Sequence, residues 1–194
     1  MRRSAPYIES KIWRGKSQEV KIEYIHESSL GAFQKQAILQ LLNASFGDGL
    51  SEVFGLRPLP DARILIRSEG HLIGHLAVEF RRVRVGSQIV SVCGASDICV
   101  HPDAQRKGIG RVLIRQLEDI AKEKAFQFIL AFSDNPAFYK ACEFESRRIR
   151  CRWLMIQQGV SMGVLSRTLS GVMVKAIENA DWPEGELDLL GHIF

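Results

Sequence analysis

The chain has 194 residues, 46% of them hydrophobic and 25% charged, with a formal net charge of +4. That is enough chain for one domain with a full core and an ordinary soluble composition, without repeats or low-complexity tracts. No apolar run approaches the roughly 20 residues of a membrane helix, and the opening M-R-R-S-A-P-Y-I-E-S lacks a signal peptide's apolar core, so a cytoplasmic protein is expected.

Residues 1–19 are polar and aromatic with no clear period and read as an N-terminal extension, with the domain over 20–194. Residues 20–26 alternate as V-K-I-E-Y-I-H, a first strand. Ser28, Ser29 and Gly31 break the chain. A helix follows over 33–46, with Phe33, Ile38, Leu41 and Leu42 as its apolar stripe, and Gly47, Asp48 and Gly49 end it. Residues 50–60 form a loop or short helix carrying Phe54. A meander comes next: a strand over 62–67, a turn at Ser68-Glu69-Gly70, and an alternating strand over 71–82. A hairpin tip at Val85-Gly86 or Gly86-Ser87 then leads to a strand over 88–99. Gly94 inside that strand suggests a bulge or a splayed strand.

A helix over 111–125 sets Leu113, Leu117, Ile120 and Ala121 on one face and pairs Glu118 with Lys122 on the other. Residues 126–132 are a buried strand, broken by Ser133, Asp134, Asn135 and Pro136; Ala137, Phe138 and Tyr139 then open a short helix. A strand with alternating arginines follows Phe144. Residues 161–175 fit a helix or a strand, residues 181–185 a turn, and residues 187–194 a last apolar element.

The cysteines Cys93, Cys99, Cys142 and Cys151 form no C-x-x-C pair and no zinc spacing, which predicts free, mostly buried thiols. The five histidines, His26, His71, His75, His101 and His192, show no H-E-x-x-H and no cluster, so no metal site is expected. Basic residues gather at 2–3, 81–84 and 147–152, a pattern shared by nucleic-acid binders and by proteins that attract an anionic ligand.

The most informative stretch is residues 98–110, I-C-V-H-P-D-A-Q-R-K-G-I-G, followed at once by a helical pattern. A strand, a Pro and a glycine-spaced basic turn into a helix form a phosphate-holding device. Gly108 and Gly110 allow close backbone approach and positive φ, and the helix start offers unpaired N–H groups and its positive dipole end. A Walker loop is excluded, because Arg111 and Val112 follow Gly110 where Lys and Ser or Thr are needed. A dinucleotide fingerprint is excluded by Leu113 in place of its third glycine. What remains is Q-x-x-G-x-G preceded by V-x-P. A second segment, residues 126–144, reads F-Q-F-I-L-A-F-S-D-N-P-A-F-Y-K-A-C-E-F.

Together these resemble the GNAT N-acetyltransferase superfamily, over about residues 77–144. The resemblance implies a single α/β (α+β) domain: a mixed, strongly bent sheet with a splayed central strand pair, flanked by helices. It implies that Gln105, Arg106, Lys107, Gly108, Ile109 and Gly110 grip the pyrophosphate of acetyl-CoA. Backbone groups of Ile98, Cys99 and Val100 would bond the pantetheine arm, Asn135 would contact the acyl donor, and the segment between the first two strands would shape the acceptor pocket. Tyr139 matches the position that often protonates the departing CoA thiolate. One departure stands out: Glu143 sits where the family has a Gly that ends the helix in a left-handed turn, so the local path is expected to differ.

Acetyl transfer needs a neutral amine, a polarised thioester carbonyl and a protonated leaving thiolate. Asp97 is the nearest acid to the thioester end of its strand and the leading base, although in a regular strand its side chain would face opposite to Val100; Glu79 is the second candidate. Each residue also has a plain reading. Asp97 would cap a backbone group, Glu79 would be solvated, Tyr139 would pack a short helix, Asn135 would be a turn residue and the glycine loop a mere connection. Cys99 reads as packing, since a catalytic Cys would need a His partner. The reading is an acetyl-CoA-dependent N-acetyltransferase acting by direct transfer on a primary amine of a small molecule or peptide. It uses no metal, and takes neither nucleic acid nor membrane as partner. A homodimer is compatible with the resemblance. The alternatives are a longer acyl chain delivered by acyl-CoA or acyl carrier protein, and a non-catalytic CoA-binding or interaction module.

Overall fold

The computed structural model describes residues 8–14, 19–47 and 56–194. The described residues up to Val78 together with Asp97–Gln116 form one compact unit, and Glu79–Ser96 with Leu117–Phe194 form a second.

The first unit is an antiparallel meander. Strand β1 (Ile8–Arg14) pairs with β2 (Glu19–His26), β2 with β3 (Ala62–Ser68), and β3 with β4 (His71–Val85). Residues 8–14, inside the span read as an extension, are thus a strand in register with β2, Ile8 opposite Ile25 and Ile12 opposite Lys21. The run I-E-S-K-I-W-R is too polar to announce a strand by period, and it forms by adding to an edge whose partner is strongly patterned. The β3–β4 turn has positive φ at both Glu69 and Gly70, as a two-residue hairpin requires. Helix α1 (Ala32–Phe46) buries Ile38, Leu41 and Leu42 in a cluster with Ile25, Leu30, Leu65 and Cys99. Phe33 is not on that stripe. It lies five residues before Ile38, about 140° round the helix, and is 88% exposed. Gly47 takes φ 91° where the helix stops; Asp48, Gly49 and Phe54 lie outside the described residues.

The second unit begins with the end of β4 and the first part of β5 (Gln88–Val100), joined by a turn in which Gly86 has φ 56°. Strand β6 (Phe128–Phe132) runs parallel to β5, Val92 opposite Phe128 through Ala95 opposite Ala131. The rungs end there, one residue before β6 itself ends, while β5 continues to Val100. Strand β8 (Val160–Ala176) pairs antiparallel with β6 and with β7 (Glu145–Gln157); β9 (Leu187–His192) runs parallel to β7 and pairs with the end of β4. Residues 161–175 are therefore strand. Gln158 and Gly159 both have positive φ between the paired Gln157 and Val160, a two-residue turn that fixes β8 against β7. The core here gathers Val83, Val85, Val90, Val92, Phe128, Leu130, Cys151, Val172, Val174, Leu187 and Leu189.

Gly94 is not a bulge. It sits in the ladder opposite Leu130, and a Cβ there would lie 2.8 Å from the Phe194 ring, so any larger residue requires that ring to shift. The irregular residue is Asp97, with φ 49°.

Helix α2 (Ile109–Glu123) starts two residues earlier than its sequence pattern suggests and buries Ile109, Val112, Leu113, Ile114, Leu117, Ile120 and Ala121. Glu118 does not pair with Lys122; it accepts from Lys175 Nζ at 2.7 Å. Lys175 offers a half-buried cation anchored by two further acceptors, the Cys142 carbonyl at 2.8 Å and Glu143 Oε2 at 3.2 Å, so it outcompetes a flexible surface lysine.

The short helix α3 (Pro136–Lys140) ends in the left-handed turn of the family pattern, without the glycine. Glu143 takes φ 65°; its N–H donates to the Lys140 carbonyl at 3.0 Å, and the Phe144 N–H donates to the Tyr139 carbonyl at 3.0 Å. These are the two bonds of a Schellman motif, and the Tyr139 and Phe144 rings meet edge-on at 5.4 Å, the apolar contact that accompanies it. The expected change of path does not occur. Left-handed backbone costs a non-glycine residue about 1 kcal/mol, whereas the Glu143 carboxylate is 86% exposed and Lys175 keeps its other two acceptors. Glu143→Gly is therefore expected to stabilise the protein, by about 0.5–1 kcal/mol in urea unfolding; a loss of stability would show that the ion pair outweighs the backbone strain.

Candidate active site

The candidate donor-binding residues of the first unit follow the kink at Asp97. Beyond it, Ile98 and Val100 are half-buried and Cys99 is buried. His101 donates its N–H to the Ile73 carbonyl at 2.9 Å, which keeps the chain alongside β4, and its ring Nδ1 accepts from the Asp103 N–H at 3.3 Å. One turn of 3-10 helix, Pro102–Ala104, carries the chain into the glycine loop. Gln105 turns back so that its side-chain amide donates to the Val100 carbonyl at 3.2 Å. Lys107 Nζ donates to the Asp103 carbonyl at 2.9 Å.

The loop takes positive φ at Arg106 (60°) and Gly108 (86°), not at Gly110, which already belongs to α2. Gly108 needs to be Gly for its backbone alone, since nothing stands within 4 Å of where its Cβ would be. Ile109 anchors the helix start: it is 2% exposed, and its Cγ2 lies 3.0 Å from the position a Cβ of Gly74 would take. The first N–H groups of α2 thus emerge beside exposed Arg106, Lys107 and Arg111. Aligned N–H groups, a positive dipole end and three exposed cations suit a diphosphate.

Asp97 is half-buried, and its carboxylate lies 3.4 Å from Arg57 Nη1. The positive φ breaks the alternation that would have set it opposite Val100. Its carbonyl oxygen accepts from His75 Nδ1 at 2.8 Å. Burial, and secondly the Arg63 charge, push His75 down to about 3, so the ring is neutral at physiological pH. Cys99 is no nucleophile: burial pushes its thiol up to about 12, and it packs in the apolar cluster under α1. Cys93, Cys142 and Cys151 are likewise buried free thiols.

In the second unit Tyr139 is 8% exposed, packed edge-on between Phe138 and Phe144. Burial pushes its phenol up to about 12, so it carries its proton throughout the physiological range. Asn135 precedes α3; its N–H donates to Ser133 Oγ at 3.1 Å, and its exposed side chain does not cap the helix. Glu79 is not a solvated strand residue. It is 7% exposed and pairs with Arg81 Nη2 at 2.5 Å and His192 Nε2 at 3.2 Å, while Arg81 lies over the Phe194 ring. Sequence pattern missed this cluster and the His75 contacts alike, because each depends on residues far apart in the chain.

Among the described residues no helix is long and apolar enough to cross a membrane, and no group of three His, Cys, Asp or Glu side chains could hold a metal.

These features accord with what the chain resembles. Residues 35–144, more than half of it, match the model of the acetyltransferase (GNAT) family. The structure is similar to the GNAT family N-acetyltransferase YhbS from Escherichia coli, solved in complex with CoA, at 18% identity and a TM-score of 0.60, covering 97% of this chain and 93% of that one. It is similar to a GNAT family acetyltransferase from Brucella melitensis in complex with acetyl-CoA, at 18% identity and a TM-score of 0.57, covering 86% of this chain and 94% of that one. A third likeness is the ribosomal-protein-S18-alanine N-acetyltransferase of Escherichia coli, at 16% identity and a TM-score of 0.52, covering 83% and 99%. Some other matched structures are larger, and the chain spans about a third of their length. A comparison with curated proteins gives no significant match. The chain belongs to the acetyltransferase (GNAT) family, and is an enzyme of the N-acetyltransferase class.

The shifted histidine makes stability depend on pH with a definite sign. Below 6.5 the unfolded chain takes up a proton at His75 that the folded chain refuses until about 3, so stability is full above 6.5 and falls as pH drops. His192, lowered to about 4 by burial and by Arg81, acts in the same direction. Glu23 and Lys175 respond outside this window, below 4.5 and above 10.5. Urea unfolding at pH 5 is expected to give about 2 kcal/mol less stability than at pH 8 from His75 alone; a flat or rising profile toward pH 5 would contradict a neutral buried His75.

Proposed function

We propose that this enzyme transfers the acetyl group of acetyl-CoA directly to a primary amine of a small-molecule or peptide acceptor. The observation that carries the donor is the Gln105–Gly110 loop. It has left-handed residues at Arg106 and Gly108, a helix N-terminus at Ile109 and exposed cations, in a chain of this family. The related structures solved with CoA and with acetyl-CoA support the same donor.

In the proposed reaction the amine nitrogen bonds to the thioester carbonyl carbon, the carbon–sulfur bond breaks, and the CoA thiolate leaves. The proton lost from the amine goes to the Asp97 carboxylate, directly or through water. The thiolate takes its proton from Tyr139, whose buried phenol keeps that proton throughout the physiological range. Backbone groups of Ile98–Val100 bond the pantetheine arm and Asn135 contacts the donor. The buried thiols offer no covalent route, so direct transfer is the economical scheme. The ribosomal-protein-alanine acetyltransferase among the structural likenesses keeps a peptide amine on the list of acceptors to screen.

Calorimetric titration with acetyl-CoA tests the donor. Gly110→Glu puts an acid in the first turn of α2, which the helix tolerates, yet sets a negative charge where the diphosphate is proposed to bind. The native protein is expected to bind at micromolar acetyl-CoA and the variant at least about tenfold more weakly; equal binding would remove the loop from the site. In an amine-acceptor assay, Tyr139→Phe is expected to lower kcat at least about tenfold with little change in the acetyl-CoA KM. An unchanged kcat would leave Tyr139 as packing only.

A further inference from the structure

Glu27, Arg63 and His75 form a buried polar chain that the reaction as proposed does not use. They are 8%, 2% and 0% exposed. Arg63 Nε donates to Glu27 Oε2 at 2.6 Å, Arg63 Nη1 donates to His75 Nε2 at 3.0 Å, and His75 Nδ1 donates to the Asp97 carbonyl at 2.8 Å. The directions are forced. A guanidinium only donates and a carbonyl only accepts, so the ring between them must be neutral and carry its proton on Nδ1. Three strands bring the chain together: Glu27 follows β2, Arg63 lies on β3 opposite Ala77, and His75 lies on β4 opposite Leu65. An apolar trio of similar volume would hold a sheet at least as well. It could not supply an N–H to a carbonyl at a left-handed kink.

We propose that His75 is the positioning residue of the acyl-CoA site. Its Nδ1–H holds the backbone kink at Asp97 and so fixes the course of residues 97–100 into the glycine loop, while Arg63 and Glu27 lock the one tautomer that can donate. The proposal rests on the acetyl-transfer reading of the same site. The kink has two consequences if His75 holds it. The Asp97 carboxylate leaves the alternation of a regular strand, and the Val100 carbonyl reaches the Gln105 amide that ties the strand to the loop. Left-handed backbone is disfavoured for residues other than glycine, though less for Asp and Asn than for most, and the His75 bond to the Asp97 carbonyl adds to what holds the kink.

Two variants separate positioning from mere packing. Asn places an amide N–H near the position of Nδ1, so His75→Asn keeps the donor to Asp97 and loses the contact with Arg63. Gln reaches the position of Nε2, so His75→Gln keeps an acceptor for Arg63 and loses the donor. Both replace the ring by an amide and break one of two buried bonds, so any general loss of packing is common to them. Acetyl-CoA affinity by calorimetry and amide hydrogen exchange of residues 98–100 without ligand are measured on both. His75→Gln is expected to weaken acetyl-CoA binding at least about tenfold and to speed exchange at 98–100 by about tenfold. His75→Asn is expected to stay within about threefold of native in both. Equal behaviour of the two variants, or a greater loss in His75→Asn, overturns the proposal. If the native protein fails to bind acetyl-CoA, the acyl-transfer reading falls with its positioning residue, while the exchange comparison still decides whether His75 holds the kink.

Discussion

A strand that outruns its ladder must find new partners for its backbone. Pairing of β5 with β6 stops at Ala95 and Ala131, yet β5 runs on to Val100. An unpaired buried carbonyl costs about as much as a lost hydrogen bond, about 1–3 kcal/mol. Two carbonyls past the break are met by side chains, that of Asp97 by His75 and that of Val100 by Gln105. The strand can therefore run on past its ladder, and the loop that follows is tied to the strand that leads into it.

The same economy explains why the proposed site needs little dedicated charge. The groups proposed to bind the diphosphate are mostly backbone, set by Arg106 and Gly108 in left-handed geometry and by the start of α2, which buried Ile109 fixes. The cations around it are exposed and need only be near. Tyr139 is held the other way, by burial between two rings, and burial is also what keeps its proton. Glu143 belongs to this account as well. It stands where a glycine is expected, but it completes the same capping turn, so the departure carries no argument for a non-catalytic module.

What was legible in the sequence is what short-range chemistry dictates. The Q-x-x-G-x-G loop, the strand before it, the apolar stripe of α2 and the F-Y helix are local patterns, and each is present in the structure near its expected bounds. The misses share a cause. Strand β1 is defined by the edge it joins, β8 by its two-residue turn and two neighbours, and the tight space at Gly94 by a ring 100 residues further on. The link of His75 to Arg63 and Glu27 depends on strand register, which one sequence does not display. A histidine without a nearby ligand pattern reads as unremarkable until the ladder sets it beside an arginine. The acceptor pocket was not legible either, since no motif marks it.

We propose that the β5 terminus and the glycine loop form the donor site. Amide hydrogen exchange of the native protein with and without saturating acetyl-CoA tests it most directly. New protection is expected to concentrate in residues 98–111, strongest at Arg106–Arg111. Protection confined to other segments, or none at saturation, would contradict it.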